Sequence, residues 1–339
     1  MMTILGLLIV ISVIVFLHEL GHFLAARWAG ARVDVFSIGF GRAIIKWKDR
    51  RGTEWRIAWL PLGGFVSIYG QDQMFERKKY ADLPAAKKKG HYLSLPAYKQ
   101  AIVIFAGVFF NFLTAFVIYT GLFVGTQTTQ LAVVSNDALA LRAGDRIMQV
   151  NGVKVADWGE MIMQKELHGA RENNLVVLRG AKIANVKMPA GKWGAIADAT
   201  KTETHRNGIV AAVGRAGTEL WAQSKMMVVV LKQMITGERS GKQLGGLITI
   251  GQISGQALSA GAAAFLALIA LLSINLGVLN LFPLPVLDGG YLLILGIEAV
   301  VRRRLGGRMM DWIMRAGWGL LIALMAFAMW NDIARIFHL

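Results

Sequence analysis

Residues 3–26 read TILGLLIVISVIVFLHELGHFLAA, and the architecture turns on how this stretch is placed. It is apolar apart from His18, Glu19 and His22. The uncharged part, Thr3 to Leu17, is too short to cross a bilayer, which takes roughly 20 residues. A crossing helix must therefore carry all three ionisable groups, an expensive placement that marks a functional site by default. A cleavable signal would place basic residues ahead of the apolar run, whereas the first charge here is Glu19.

His18-Glu19-Leu20-Gly21-His22 is an H-E-x-x-H sequence. Six His and ten Glu in 339 residues give about 0.003 chance matches, too few to dismiss. Histidines at i and i+4 share one helix face roughly 6 Å apart, so both can reach one tetrahedral metal. Glu19 then stands beside the metal as a general base toward its water.

Three further runs have crossing length or nearly so. Residues 101–124 carry no charge and read as a second transmembrane helix, with the span set at 100–125. Ala257 to Leu287 is a third uncharged run, broken near its end by Pro283 and Pro285, and the segment 257–298 is assigned to it. Ala316 to Asn331 is a fourth, bordered by Trp318 and Trp330 as interfacial anchors, within a closing segment 316–339. The loop 27–99 holds 15 Lys or Arg against 6 Asp or Glu, including Arg77 to Lys79. The link from Glu298 to Arg315 holds five Arg, three of them Arg302 to Arg304. The positive-inside rule makes 27–99 and 299–315 cytoplasmic and both termini extracytoplasmic.

Composition agrees with a membrane protein. Residues are 55% hydrophobic and 17% charged, against roughly 25% charged in soluble proteins. The net charge of +16 sits beside apolar runs, which points to membrane-surface loops and a lipid bilayer partner and not to nucleic acid. Without cysteine, thiolate zinc sites, iron–sulfur clusters and Cys nucleophiles are excluded, and a metal must be held by His and carboxylates.

The loops carry structure of their own. Trp55, Ile57 and Trp59 alternate with Glu54, Arg56 and Ala58 after a turn at Asp49 to Gly52, predicting a strand hairpin within 33–69. It is read either as a small cytoplasmic sheet or as one that dips to the membrane and offers an edge to an extended peptide. Residues 126–200 hold one small β-rich domain with a turn at Asn151-Gly152, and 201–256 form a linker. In that linker Met227, Val228, Leu231, Met234 and Ile235 share a helix face, as for an amphipathic helix at an interface.

A zinc site needs a third protein ligand and an open position. Asp288 is the acidic residue at the end of the third apolar run, and Gly289 and Gly290 permit close approach. His18 lies about 15 residues from the outer end of its span, or roughly 22 Å deep, and Asn280 lies in the inner part of its own. Asp288 is therefore the expected third ligand. Asn111 and Asn280 are candidates for holding substrate or a developing oxyanion, with interhelical hydrogen bonding as the alternative for Asn111. His91, His168, His205 and His338 read as ordinary surface residues.

HELGH at 18–22, AGVFFNF at 106–112 and SINLGVLNLFPLPVLDGG at 273–290 resemble the site-2 protease family of intramembrane zinc metalloproteases, and more closely its bacterial regulator-of-sigma-E protease type. PLGGFVSIYG at 61–70 is similar to the family's membrane-associated β segment, and LGGLITIGQISGQA at 244–257 and NDIAR at 331–335 to its later regions. Residues 126–200, with AGDRIMQVNG at 143–152, resemble a PDZ domain. The resemblance implies a polytopic α-helical membrane protein of about four transmembrane helices. A cytoplasmic-side membrane-associated β segment and one extracytoplasmic PDZ-like α+β domain would complete it. It implies Zn2+ on His18, His22 and Asp288, Glu19 as catalytic base, and Asn280 and Asn111 in substrate or oxyanion binding.

The implied activity is regulated proteolysis, as a metalloendopeptidase of the bacterial inner membrane. Its expected substrates are single-span membrane proteins such as anti-sigma factors or signal-peptide remnants, cut after an upstream site-1 protease. A peptide ligand of the PDZ-like domain is a further expected partner. Arg42, Val108 and Leu247 stand where relatives usually have Pro, and Gln71 where they have Glu; none belongs to the zinc set. The rival readings are a catalytically inert PDZ membrane adaptor and a metal transporter.

Overall fold

The computed structural model describes residues 2–71, 80–134, 137, 139–155, 157–168, 171–190, 202–238, 240–241, 245–302 and 307–337. Arg77 to Lys79, residues 191–200, Arg303, Arg304, His338 and the side chain of His205 lie outside them. In order, the elements are α1 (Met2–Ala29), β1 (Val33–Lys48), β2 (Glu54–Ile68), α2 (Ala97–Phe123), β3 (Gly125–Gln130), β4 (Arg146–Val150), β5 (Val153–Lys154) and α3 (Trp158–His168). There follow β6 (Asn173–Arg179), β7 (Lys182–Met188), β8 (Thr202–Asn207), α4 (Ile209–Ile235), α5 (Leu247–Ala260), α6 (Ala262–Leu281), α7 (Asp288–Val301) and α8 (Gly307–Ile336). Among the described residues four helices are long and apolar enough to cross a membrane: α1, α2, α6 and Met309–Ile336 of α8.

Two compact units result, Met1–Tyr119 with Gly237–Leu339, and Thr120–Thr236. In the first, Val10 and Ile14 of α1 pack on Phe265 and Ile269 of α6. A second cluster joins Phe23 and Ala26 of α1 to Val33, Phe36 and Ile68 of the hairpin, Val103 and Ile104 of α2 and Leu295 of α7. Phe23, Phe36 and Trp55 pack mutually at 4.6–5.4 Å between ring centres, Phe23 edge-on to the other two rings.

The hairpin does more than pair once. Val35 to Ile38 each face two partners in β2, from Glu54–Ile57 on one side and Gly64–Ser67 on the other, while Ala43 to Lys48 pair with Glu54–Ala58. The ribbon thus folds over itself and leaves Gly64–Ile68 at an edge among the described strands. It runs along α1. At one end Arg27 holds Asp49 and Thr53; at the other Ser12 Oγ donates to the Pro61 carbonyl at 3.0 Å. Those anchors are 15 residues apart on α1, or about 22 Å. Burial works against the Asp49 charge, but hydrogen bonds from Trp55 and Arg27 and the backbone of Arg51 and Thr53 outweigh it and lower its pKa to about 2.

The apolar run from Ala257 is not one helix. Gly261, with φ of 111°, separates α5 from α6, and Phe282, in extended conformation, ends α6 before the two prolines. Asp332 of α8, 2% exposed, accepts from the N–H groups of Gly246, Ile248 and Thr249 at the start of α5. His91 corrects the surface reading. It is 1% exposed, its ring against Tyr69 and Tyr80 and its Nδ1 accepting from Leu93 N. Nothing in its spacing signalled this, because the burial comes from the loop folding back on the hairpin end.

In the second unit β5-β4-β6-β7 form one antiparallel sheet over a core of Ile147, Val150, Met161, Leu175 and Val177. Asn151 and Gly152 both have positive φ, 51° and 82°, the conformation of a two-residue hairpin turn between β4 and β5. Asp145, 1% exposed, is held by Arg179, which donates to both carboxylate oxygens. β3 pairs separately with β8.

Candidate metal centre

The centre lies in the first unit, where α1, the α6–α7 junction and α2 meet. His18 and His22 face the same side of α1, with Nε2 atoms 3.2 Å apart. Asp288 is the first residue of α7, and its Oδ2 lies 3.3 Å from His18 Nε2 and 3.5 Å from His22 Nε2. Asp288 reaches this point because the chain turns sharply after α6. A Cβ on Gly289 would stand 2.3 Å from the Leu281 carbonyl oxygen, and one on Gly290 2.0 Å from that of Leu284. Only glycine lets α7 start so close to the turn.

The donor set fits a metal. Three ligands about 2.0–2.1 Å from a tetrahedral ion stand about 3.3–3.4 Å from each other, and the observed separations are 3.2, 3.3 and 3.5 Å. All three side chains are largely buried, and Asp288 Oδ2 makes no hydrogen bond, so it converges with the imidazoles on a point that none of them fills. Among the described residues this is the one His, Asp and Glu cluster with metal-binding spacing.

Glu19 reaches the hairpin, where its Oε2 accepts from Val66 N at 3.0 Å. Val66 belongs to the edge segment Gly64–Ile68, so the candidate base bonds directly to that strand edge. The two asparagines part company. Asn280, next to last in α6, places Nδ2 3.5 Å from His18 Nε2, on the side of the three donor atoms. Asn111 of α2 is fully buried behind the ring, with Nδ2 3.0 Å from His18 Nδ1. His22 Nδ1 lies 2.8 Å from the Val103 carbonyl oxygen. Sequence reading missed both Val66 and Val103, since each acts through its backbone and no side-chain type announces it.

Helices that cross a bilayer and bring two histidines and an aspartate to metal spacing, with a glutamate alongside, define a multi-pass membrane metalloprotease. A sequence model of peptidase family M50 matches residues 6–324. A protein of Campylobacter jejuni with a zinc metalloprotease designation is 35% identical over 98% of this chain and 93% of its own. One from Rickettsia conorii with the same designation is 32% identical over 99% of this chain and all of its own. The metalloprotease MmpA of Caulobacter vibrioides is 29% identical over 97% of this chain and 95% of its own. The chain belongs to peptidase family M50, the site-2 proteases, and is a zinc-dependent metalloprotease.

Proposed function

We propose that the protein hydrolyses a peptide bond within or beside the membrane segment of single-span membrane proteins, as in the regulator-of-sigma-E type. Anti-sigma factors and signal-peptide remnants are the substrate classes. The observation that carries this reading is the place of the donor set: His18 and His22 lie inside a span helix, and Asp288 begins the helix that follows the turn after another. A reactive centre on membrane-crossing helices is built for a substrate that also crosses.

His18, His22 and Asp288 hold the zinc, which when bound supplies Lewis acidity to the scissile carbonyl and the attacking water. Glu19 takes the water proton and passes it to the leaving amine. Asn280, on the same side as the donor atoms, donates through Nδ2 to the carbonyl oxygen as charge develops there. A helical substrate hides its carbonyls in its own hydrogen bonds, so the cleaved stretch must be extended. The Gly64–Ile68 edge, beside Glu19, offers a strand for it to pair with. The 27–99 segment is placed on the cytoplasmic side of a bacterial inner membrane. Residues 126–200 are the PDZ-like domain on the other side, restricting access until a site-1 protease has trimmed the substrate. The excess of basic residues in 27–99 supports that orientation.

The test is co-expression with a doubly tagged single-span substrate whose outer domain is already trimmed, comparing native chain with Glu19→Gln. A fragment of membrane-internal size seen only with the native chain is expected. Equal fragment from both would refute the mechanism.

A further inference from the structure

We infer that α2 supplies the shell that orients both zinc-binding imidazoles, and that Asn111 is a positioning residue that acts on His18 through Oδ1. This rests on the metal-centre reading above and deepens it.

Val103, Gly107 and Asn111 are spaced by four and lie on one face of α2, one turn apart. That face lies against His22 and His18, which are themselves one turn apart on α1. The Val103 carbonyl meets His22 Nδ1, and the Asn111 amide meets His18 Nδ1. Between them Gly107 makes room: a Cβ there would stand 2.3 Å from His22 Nε2 and 2.8 Å from His18 Cε1. Any other residue would push the rings off the helix that orients them.

An imidazole that ligates through Nε2 carries its proton on Nδ1 and needs an acceptor there. Val103 offers a carbonyl to His22, and a carbonyl oxygen has a second lone pair beyond its helical bond. Asn111 has an acceptor too, but Nδ2 faces His18 here, an orientation that suits a ring with its proton on Nε2. A half-turn of the amide exchanges Nδ2 for Oδ1. That turn breaks no hydrogen bond of Oδ1, which is buried without a hydrogen-bond partner. Asn111 can therefore serve His18 in either tautomer, and its Oδ1 is the group that matches the ligating one. Its position behind the ring also separates it from Asn280, which stands on the metal side.

The test is zinc affinity of the full chain in detergent, measured by competition with a chromophoric chelator. Asn111→Leu keeps the bulk, removes the acceptor, and is expected to weaken zinc by about 10- to 100-fold. Asn111→Asp keeps an oxygen acceptor but has no donor, and is expected to hold zinc within a few-fold of the native chain. A residue that only fills space would not be rescued by Asp in preference to Leu. Native zinc affinity in Asn111→Leu together with lost cleavage would overturn the inference and place Asn111 on the substrate. Loss of zinc in Asn111→Asp would overturn it as well, by showing that the amide N–H is what matters, and this variant decides if the Leu form does not fold. His18→Ala separates the two levels: native zinc affinity in that variant would overturn the metal-centre reading itself, and this inference with it.

Discussion

Replacing Gly290 by alanine should disable the centre without touching a residue that binds the metal. Its Cβ would arise 2.0 Å from the Leu284 carbonyl oxygen, 2.5 Å from the Leu284 carbonyl carbon and 2.8 Å from Pro285 Cα. These are backbone and ring atoms with no rotamer to escape into. Ordinary contact starts near 3.4 Å, so α7 and the Leu284–Pro285 turn must part by about 1.4 Å. Asp288 lies two residues away on the displaced helix end. Metal–ligand distances tolerate only about 0.2 Å, and a 1 Å misplacement at a reacting centre can cost about 100-fold in rate. Gly290→Ala should therefore lose most of its bound zinc and cleave at least about 100-fold more slowly. The assay pairs metal analysis of detergent-purified protein with the tagged-substrate immunoblot. Gly296→Ala is the control: it lies in the same helix, a Cβ there meets nothing within 4 Å, and helix propensity makes it neutral or stabilising by up to about 1 kcal/mol. One zinc per chain and near-native cleavage in Gly290→Ala would refute the close-approach argument.

Glu19→Gln keeps a carbonyl to accept from Val66 N but cannot take a proton, so turnover should fall about 10²- to 10⁴-fold with zinc retained, read by cleavage and metal content together. Asp332→Ala strips the acceptor from the start of α5 and should cost about 1–2 kcal/mol, seen as a lower thermal midpoint in detergent with unchanged zinc; an unmoved midpoint would count against the cap. Asp49, with its folded pKa lowered to about 2, stabilises the hairpin fully above its unfolded value near 3.9 and loses that contribution as pH falls through about 2. Thermal midpoints of the native chain should therefore fall between about pH 4 and pH 2 relative to Asp49→Asn, and parallel curves would refute it.

Much of this was legible in the sequence for identifiable reasons. H-E-x-x-H works through side chains on a regular helix, so spacing alone brings His18 and His22 together. Asp288 followed from its place, as the carboxylate that ends the third apolar run beside Gly289 and Gly290. The hairpin showed in the alternation around Trp55. What stayed hidden is tertiary and mostly main chain. The doubling of the hairpin over Val35–Ile38 depends on a fold-back that period-two alternation does not encode. The burial of His91 depends on Tyr69 and Tyr80, distant in the chain. The break at Gly261 sits inside a run that hydropathy treats as continuous. Asn111 and Asn280 look alike as polar residues in apolar helices, and only their sides relative to the His18 ring tell them apart.

The candidate base and one of the two histidines are held by Val66 N–H and the Val103 carbonyl, groups every residue but proline shares in the first case and every residue in the second. A scan that truncates side chains one at a time would leave both main-chain groups in place and so would register neither contact. Proline at 66, or an ester in place of the amide there, would reveal the contact that such a scan conceals. Tolerance to substitution and distance from the chemistry are thus separate properties in this protein, and a map of sensitive residues would understate how closely the hairpin attends the reaction.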